Sequence, residues 1–371
     1  MKKTSFRKVV KKMLILLITL CAVVSLIALT VMSFRINNSL KSKIDTTVGV
    51  QENVYIHIGG IEQYMQIRGE DRNNPVILWL HGGPGFPLTY LSYYYQTELE
   101  KDYTIVCLEQ RGCGRTYYRN KDKESGNTTV EQLLSDTNEV VDYLLKRFGK
   151  EKIIIMGQSW GTVLGMEYIN LRPEKVSAYI GVGQVTDFSE GKIYAATTAA
   201  KIATASGNSD DAKILAQGAN QLSETNSIEK LDVKTIEEMI ITTAKYLQGE
   251  GEMSGVKQMF TGITSPEMSW SDAKWFLFAS NTQNIIASQN KLIDYMYFRF
   301  DIANLSREYD VPICFIQGED DYITPTKLVE DYYLSVTTEK KEIVTIENAG
   351  HTPFLDNPKQ FCEAVKAFLS E

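Results

Sequence analysis

The chain has 371 residues, 43% of them apolar, enough to bury one large core or two smaller ones. Of 39 basic and 46 acidic residues, the first 45 positions hold nine bases and one acid, so the remainder carries a formal charge of −15. A body of that sign repels polyanions, which argues against nucleic acid as a partner, and five cysteines without metal-ligand spacing imply neither a zinc site nor a dense disulfide framework.

Residues Met13 to Phe34 form an uncharged apolar run of 22 residues, which as a helix reaches about 33 Å, the thickness of a bilayer core. Lys2, Lys3, Arg7, Lys8, Lys11 and Lys12 precede the run, and only Arg35, Lys41 and Lys43 follow closely. The positive-inside rule therefore predicts a cytoplasmic segment over 1–12, a single-pass signal anchor over 13–34 in the cell membrane, and an extracytoplasmic body. A cleaved secretory signal is the competing reading. The run is longer than the usual apolar region of such signals, about 7–15 residues, and no clear small-residue cleavage site follows.

A polar linker is expected over 35–50. Short runs rich in β-formers follow at NVYIHI and IEQYMQIR, and then PVILWL (75–80) and YTIVCL (103–108), which lack polar alternation and read as strands buried on both faces. Apolar residues from Val130 to Phe148 recur with a helical period that closes at Gly149. Strand KIIIM, a helix from Ser159 to about Asn170 and strand AYIGVG repeat the β-α-β rhythm of a mainly parallel sheet with helices on both faces.

Residues 188–305 break that rhythm with helical segments and an aromatic cluster at Trp270, Trp275, Phe276 and Phe278, an insertion expected to form a helical cap over the C-terminal strand ends. Strand PICFIQ, a helix near 327–334, strand KEIVTI and a last helix over 358–369 complete the core. The core thus covers 51–187 and 306–371, interrupted by the cap.

The motif Gly157-Gln158-Ser159-Trp160-Gly161 stands between a buried strand and a helix, the turn that lifts a serine into strained geometry above a sheet. A serine nucleophile needs a base, and the chain offers three histidines. His57 lies in a strand-like run. His81 precedes a glycine loop, where a structural hydrogen bond is expected of it. His351, just past the last strand, is the candidate base. The loop GEDDYITP offers Glu319, Asp320 and Asp321 as orienting acids. The loop HGGPG after PVILWL offers Gly83 as one oxyanion donor, and the N–H of Trp160, next to the nucleophile, is the other.

In this order HGGPG, EQRGCGRT, GQSWG, GEDDYITP and AGHTPF resemble the α/β-hydrolase superfamily, and within it the proline iminopeptidase-like serine peptidases. The likeness covers roughly 52–187 and 306–371 and is much weaker in the cap. It implies an α/β-hydrolase fold, and by family spacing from the loop glycine it selects Asp321 as the triad acid with Ser159 and His351. It also aligns LIDYMYF with a cap segment that holds the substrate amine, which makes Asp294 a candidate binding residue; an ordinary surface acid is the alternative. The implied activity is acyl-enzyme hydrolysis without metal or organic cofactor. The expected substrate is a short peptide with a free N-terminus, and the alternative is a small acyl ester. A membrane-tethered binding protein on a hydrolase scaffold is the reading from another class. Oligomeric state is not encoded legibly.

Overall fold

A computed structural model describes residues 2–120 and 128–370. Eight strands form one sheet: β1 (Val50–Ile58), β2 (Ile61–Gly69), β3 (Val76–Leu80), β4 (Thr104–Glu109), β5 (Ile153–Gln158), β6 (Val176–Val182), β7 (Ile313–Gly318) and β8 (Lys341–Ile346). Their order across the sheet is β1-β2-β4-β3-β5-β6-β7-β8. The β1–β2 hairpin and β2–β4 pair antiparallel, and β4, β3, β5, β6, β7 and β8 run parallel.

The unbroken apolar runs of the central strands have a direct cause. Leu78, Leu80, Val106 and Ile155 project into one core layer, with Val140, Leu144 and Val163 from the covering helices Val130–Phe148 and Trp160–Leu171. Ile77, Trp79, Ile105 and Met156 project into the other, against Phe354, Phe361 and Phe368. Successive side chains of a strand point to opposite faces, so a strand covered on both sides needs apolar residues at every position.

Helices Phe188–Ala205, Ser209–Glu224, Val233–Leu247, Gly255–Ile263, Trp270–Ala279 and Thr282–Phe298 fall between β6 and β7. The first three share a small core of Ala196, Ala199, Ala203, Leu215, Leu222 and Met239. Trp275 from the fifth packs with Cys113, Ile285 and Ile293. Of the aromatic cluster read from the sequence, Trp275 is buried while Trp270 and Phe276 are exposed.

The N-terminal helix runs without interruption from Lys2 to Lys41. The expected linker is thus helical in its first half, because residues 34–38 bind the cap. The ring of Phe34 meets Phe260 edge-on at 5.5 Å, an Arg35 guanidinium nitrogen donates to the Met268 carbonyl at 2.6 Å, and Asn38 Nδ2 donates to the Thr264 carbonyl at 3.1 Å. The side chains of residues 2–8, with the basic ones among them, lie outside the described residues.

Cap and core are also joined through a buried charge cluster. Arg115 donates from Nε and Nη2 to the two carboxylate oxygens of Asp272, at 2.9 and 2.6 Å, and from Nη2 to the Glu267 carbonyl. Its guanidinium covers the ring of Tyr64 at 4.3 Å and lies 3.7 Å from Glu109. Burial pushes the Glu109 carboxyl up to about 7, with the Arg115 charge pulling it the other way. Arg115→Met would leave Glu109 and Asp272 buried without their shared cation, and a loss of about 3–5 kcal/mol in chemical denaturation is expected. Asp272→Asn should cost clearly less, because Glu109 then pairs with Arg115 alone; equal losses would show that the cluster does not act through charge.

Candidate active site

Ser159 follows β5 with φ 52° and ψ −119°, a positive-φ conformation that non-glycine residues adopt under strain. The neighbouring backbone makes this turn possible. A Cβ at Gly157 would stand 2.4 Å from the Gly161 carbonyl oxygen, and one at Gly161 would stand 2.0 Å from that of Leu80. Both positions therefore demand glycine. The Ser159 N–H donates to the Val182 carbonyl at 2.9 Å, and its own carbonyl accepts from the amide and hydroxyl of Thr162. These bonds fix the serine at the tip of the sheet and at the head of helix Trp160–Leu171.

Asp321 follows β7 and His351 follows β8, on loops at the same edge. His351 Nδ1 lies 2.9 Å from Asp321 Oδ2 and 3.2 Å from Oδ1. The carboxylate also accepts from the amides of Ile323 and Thr324, each at 2.9 Å, and from the Thr324 hydroxyl at 2.7 Å. Burial alone would raise the Asp321 carboxyl, but the facing His351 and the bonds from Thr324 outweigh it and hold the group below the usual carboxylate value. With Nδ1 donating to Asp321, Nε2 is the basic nitrogen of the ring. The ring lies on Gly183, where an added Cβ would be 3.0 Å from Cε1. Gly183 follows the Val182 that binds Ser159, so His351 and Ser159 occupy adjoining strand tips. Of the other two acids on the loop, Glu319 accepts from the Asn348 amide and Asp320 is exposed.

The HGGPG loop passes over the serine, with an added Gly82 Cβ only 3.2 Å from Ser159 Cβ. Gly83 has φ 119° and Gly85 φ 89°, conformations that require glycine. Trp160 is the first residue of its helix, so the helix offers its N–H no acceptor. His81 has the structural task expected of it. Its Nδ1 donates to the Gly82 carbonyl at 2.8 Å, its Nε2 accepts from the Gln110 amide at 3.2 Å, and burial pulls its pKa down to about 4. His57 is exposed on β1.

Three bracing contacts were not legible in the sequence. The Trp160 indole donates to Gln110 Oε1 at 3.1 Å, Gln110 Nε2 donates to the His81 carbonyl at 3.4 Å, and the Trp275 indole donates to the Gly85 carbonyl at 2.8 Å. Gln110 thus ties the Trp160 side chain to the start of the glycine loop. The one signal for it was its place in EQRGCGRT, straight after a buried strand. Cys107 and Cys113 are not joined in a disulfide, and the Cys113 thiol donates to the Gln110 carbonyl at 3.1 Å.

Asp294 does not join this group. Its Oδ1 accepts from the Ile228 amide and its Oδ2 pairs with Arg299, both at 2.9 Å, beside a cleft lined by Thr129, Glu131 and Ser227. The cavity bordering the glycine loop is a different one, lined by Gly83, Pro84, Phe86, Phe188, Ile285 and Tyr297, with Glu237 as its charged lining residue. Buried Lys192 lies against Phe188, its ammonium 4.9 Å from the ring, and burial lowers its pKa to about 8 against the opposing pull of Asp321.

The chain is 28% identical over 325 residues to the "Probable aminopeptidase YbaC" of Bacillus subtilis, covering 84% of this chain and 93% of that protein. A proline iminopeptidase of Lactobacillus delbrueckii is also 28% identical, but over 127 residues, 34% of this chain and 41% of the relative. Among solved structures, a proline iminopeptidase-related protein of Thermus thermophilus superposes with a TM-score of 0.56 at 20% identity, covering 86% of this chain and 98% of its own. A bacterial membrane phospholipase A superposes at 0.58 and 14% identity over 97% of this chain and 98% of its own, a likeness of fold alone. The family model for the alpha/beta hydrolase fold matches residues 75–358. With its mixed eight-stranded sheet, its strained serine turn and these relatives, the chain is a hydrolase and belongs to the alpha/beta hydrolase fold family.

Proposed function

We propose that Ser159, His351 and Asp321 form the catalytic triad of a serine aminopeptidase of proline iminopeptidase type. Its substrates are short peptides with a free N-terminus, and the helix Lys2–Lys41 holds it in the membrane with the body outside the cytoplasm. The observation that carries the chemistry is the Asp321–His351 hydrogen bond beside a serine in strained positive-φ geometry. The near full-length relation to an aminopeptidase supports the substrate class.

In this mechanism His351 Nε2 takes the Ser159 proton as Oγ attacks the scissile carbonyl. Asp321 holds the imidazole in the required tautomer and stabilises its positive charge. The N–H groups of Gly83 and Trp160 receive the oxyanion. The protonated His351 then hands its proton to the leaving amine, and water, activated by the same base, cleaves the acyl-enzyme. A second reading, hydrolysis of a small acyl ester, draws support from the apolar cavity beside Gly83. Glu237 is the carboxylate on that cavity suited to pair with a substrate amine.

Ser159→Ala should abolish both turnover and covalent labelling by a fluorophosphonate, and Asp321→Asn should lower kcat by roughly 10⁴-fold. Retained labelling in Ser159→Ala would assign the nucleophile elsewhere. Proline and alanine anilides assayed beside acyl esters separate the two substrate readings: ester turnover with inert anilides would overturn the peptidase assignment. If anilides are cleaved, Glu237→Gln should raise KM for free-amine substrates by roughly 10-fold or more while sparing N-blocked ones, the worth of a charge-assisted bond. Asp294→Asn should leave that ratio unchanged.

The glycine loop adds a pH dependence. His81 is neutral when folded down to about pH 4, whereas the unfolded chain protonates it near its ordinary value of 6.5. The unfolded state therefore binds more protons between those values, and stability falls as pH drops through that window. Between pH 7 and 5 this contributes about 2 kcal/mol. Denaturation of His81→Asn at the two pH values should show a shallower decline by that amount, and an unchanged slope would mean that His81 is not the group responsible.

A further inference from the structure

The cap helix Gly255–Ile263 has two dissimilar faces. Inward, Thr261 and Gly262 are buried; the Tyr93 hydroxyl donates to the Thr261 carbonyl at 2.8 Å, and an added Gly262 Cβ would touch the Tyr90 ring at 3.2 Å. Outward, Val256, Met259, Phe260 and Ile263 are 73, 54, 51 and 42% exposed. Their spacing of three, four and seven residues sets them in one stripe along the helix. The next helix continues the pattern, with Trp270 and Leu277 at 74 and 71% exposure and the Lys274 ammonium 5.9 Å from the Trp270 ring. Apolar side chains exposed on two successive helices, with a tryptophan and a lysine among them, are costly toward water and suited to the boundary between acyl chains and headgroups.

The position of this stripe names its occupant. The apolar run of the N-terminal helix ends at Phe34, and Phe34 is the residue that packs on Phe260. Arg35, the next residue, and Asn38, one turn on, grip the segment between the two cap helices. The stripe thus begins where the anchor leaves the acyl-chain region, fixed to it by a ring contact and two hydrogen bonds. We infer that cap helices Gly255–Ile263 and Trp270–Ala279 dock on the surface of the bilayer that the N-terminal helix crosses, with Val256, Met259, Phe260, Ile263 and Trp270 inserted at the headgroup level. This rests on the reading of Lys2–Lys41 as a membrane span.

Tryptophan and dye quenching by brominated phosphatidylcholine tests the docking on the full chain reconstituted in phosphatidylcholine vesicles. Trp79, Trp160 and Trp275 are buried, so Trp270 is the exposed tryptophan and an intrinsic probe. Brominated lipid should lower tryptophan emission, and Trp270→Phe should remove most of that loss. A polarity-sensitive dye on Met259→Cys, in a Cys21→Ser background, should shift to the blue and be quenched, whereas the same dye on Leu334→Cys, 77% exposed on helix Thr326–Ser335, should do neither. Native Cys21, exposed on the anchor, reports the span separately when labelled. A quenched Cys21 dye with unquenched Trp270 and Met259→Cys overturns the docking while keeping the span. A blue-shifted but unquenched Met259→Cys dye means that protein, a second copy of the chain, covers the stripe, and it also overturns the proposal. An unquenched Cys21 dye removes the span and the docking together.

Discussion

The turn at Ser159 exists because three pieces of backbone meet without side chains between them. Gly161 lies under the Leu80 carbonyl at the end of β3, Gly157 lies against Gly161, and the Ser159 amide is held by Val182 at the end of β6. β5 is paired with β3 on one side and β6 on the other, so the positive-φ serine is fixed by both neighbours. Strain of this kind, on the order of 1–3 kcal/mol, persists only where the surrounding structure over-determines it. The same crowding draws the glycine loop after β3 to within contact of the serine and sets the His351 ring on the strand tip beside it.

From this turn outward the structure is organised as a set of braces. Gln110 links the His81 loop to the Trp160 indole, Trp275 reaches from the cap to the Gly85 carbonyl, and Arg115 is shared by core and cap carboxylates. The cap is thereby tied to the core through Arg115 and to the glycine loop through the Trp275 indole. The N-terminal helix joins this system through Phe34, Arg35 and Asn38, so one set of contacts runs from that apolar helix through the cap to the glycine loop.

Much of the fold was legible in local pattern. Runs such as VILWL and TIVCLE announce strands covered on both faces, because a buried strand has no side to leave polar, and the helical period from Val130 to Phe148 ends at a left-handed Gly149. The serine turn was legible because its chemistry is local: glycine, serine and glycine between a strand and a helix. Asp294 shows the limit. Its sequence neighbours resemble an amine-binding segment, yet Arg299, one turn along, and the amide of Ile228, far away in the chain, take both of its oxygens. The residues 35–41 show another: their polarity reads as linker, but contacts to residues more than two hundred positions away hold them helical.

The sequence by itself determined the strand and helix order, the glycine-flanked serine turn and the motifs that carry the serine, acid and histidine, since each of these is written in residues within a few positions of one another. The tertiary structure sets Asp321, the acid that the family spacing selects over Glu319 and Asp320, against His351, and it alone decided that Gln110 and Trp275 brace the glycine loop and that the cap rests against the end of the N-terminal helix. Those facts depend on which side chains packing brings within about 3 Å across long stretches of chain, and a carboxylate's partner is set by that geometry and not by its neighbours in sequence.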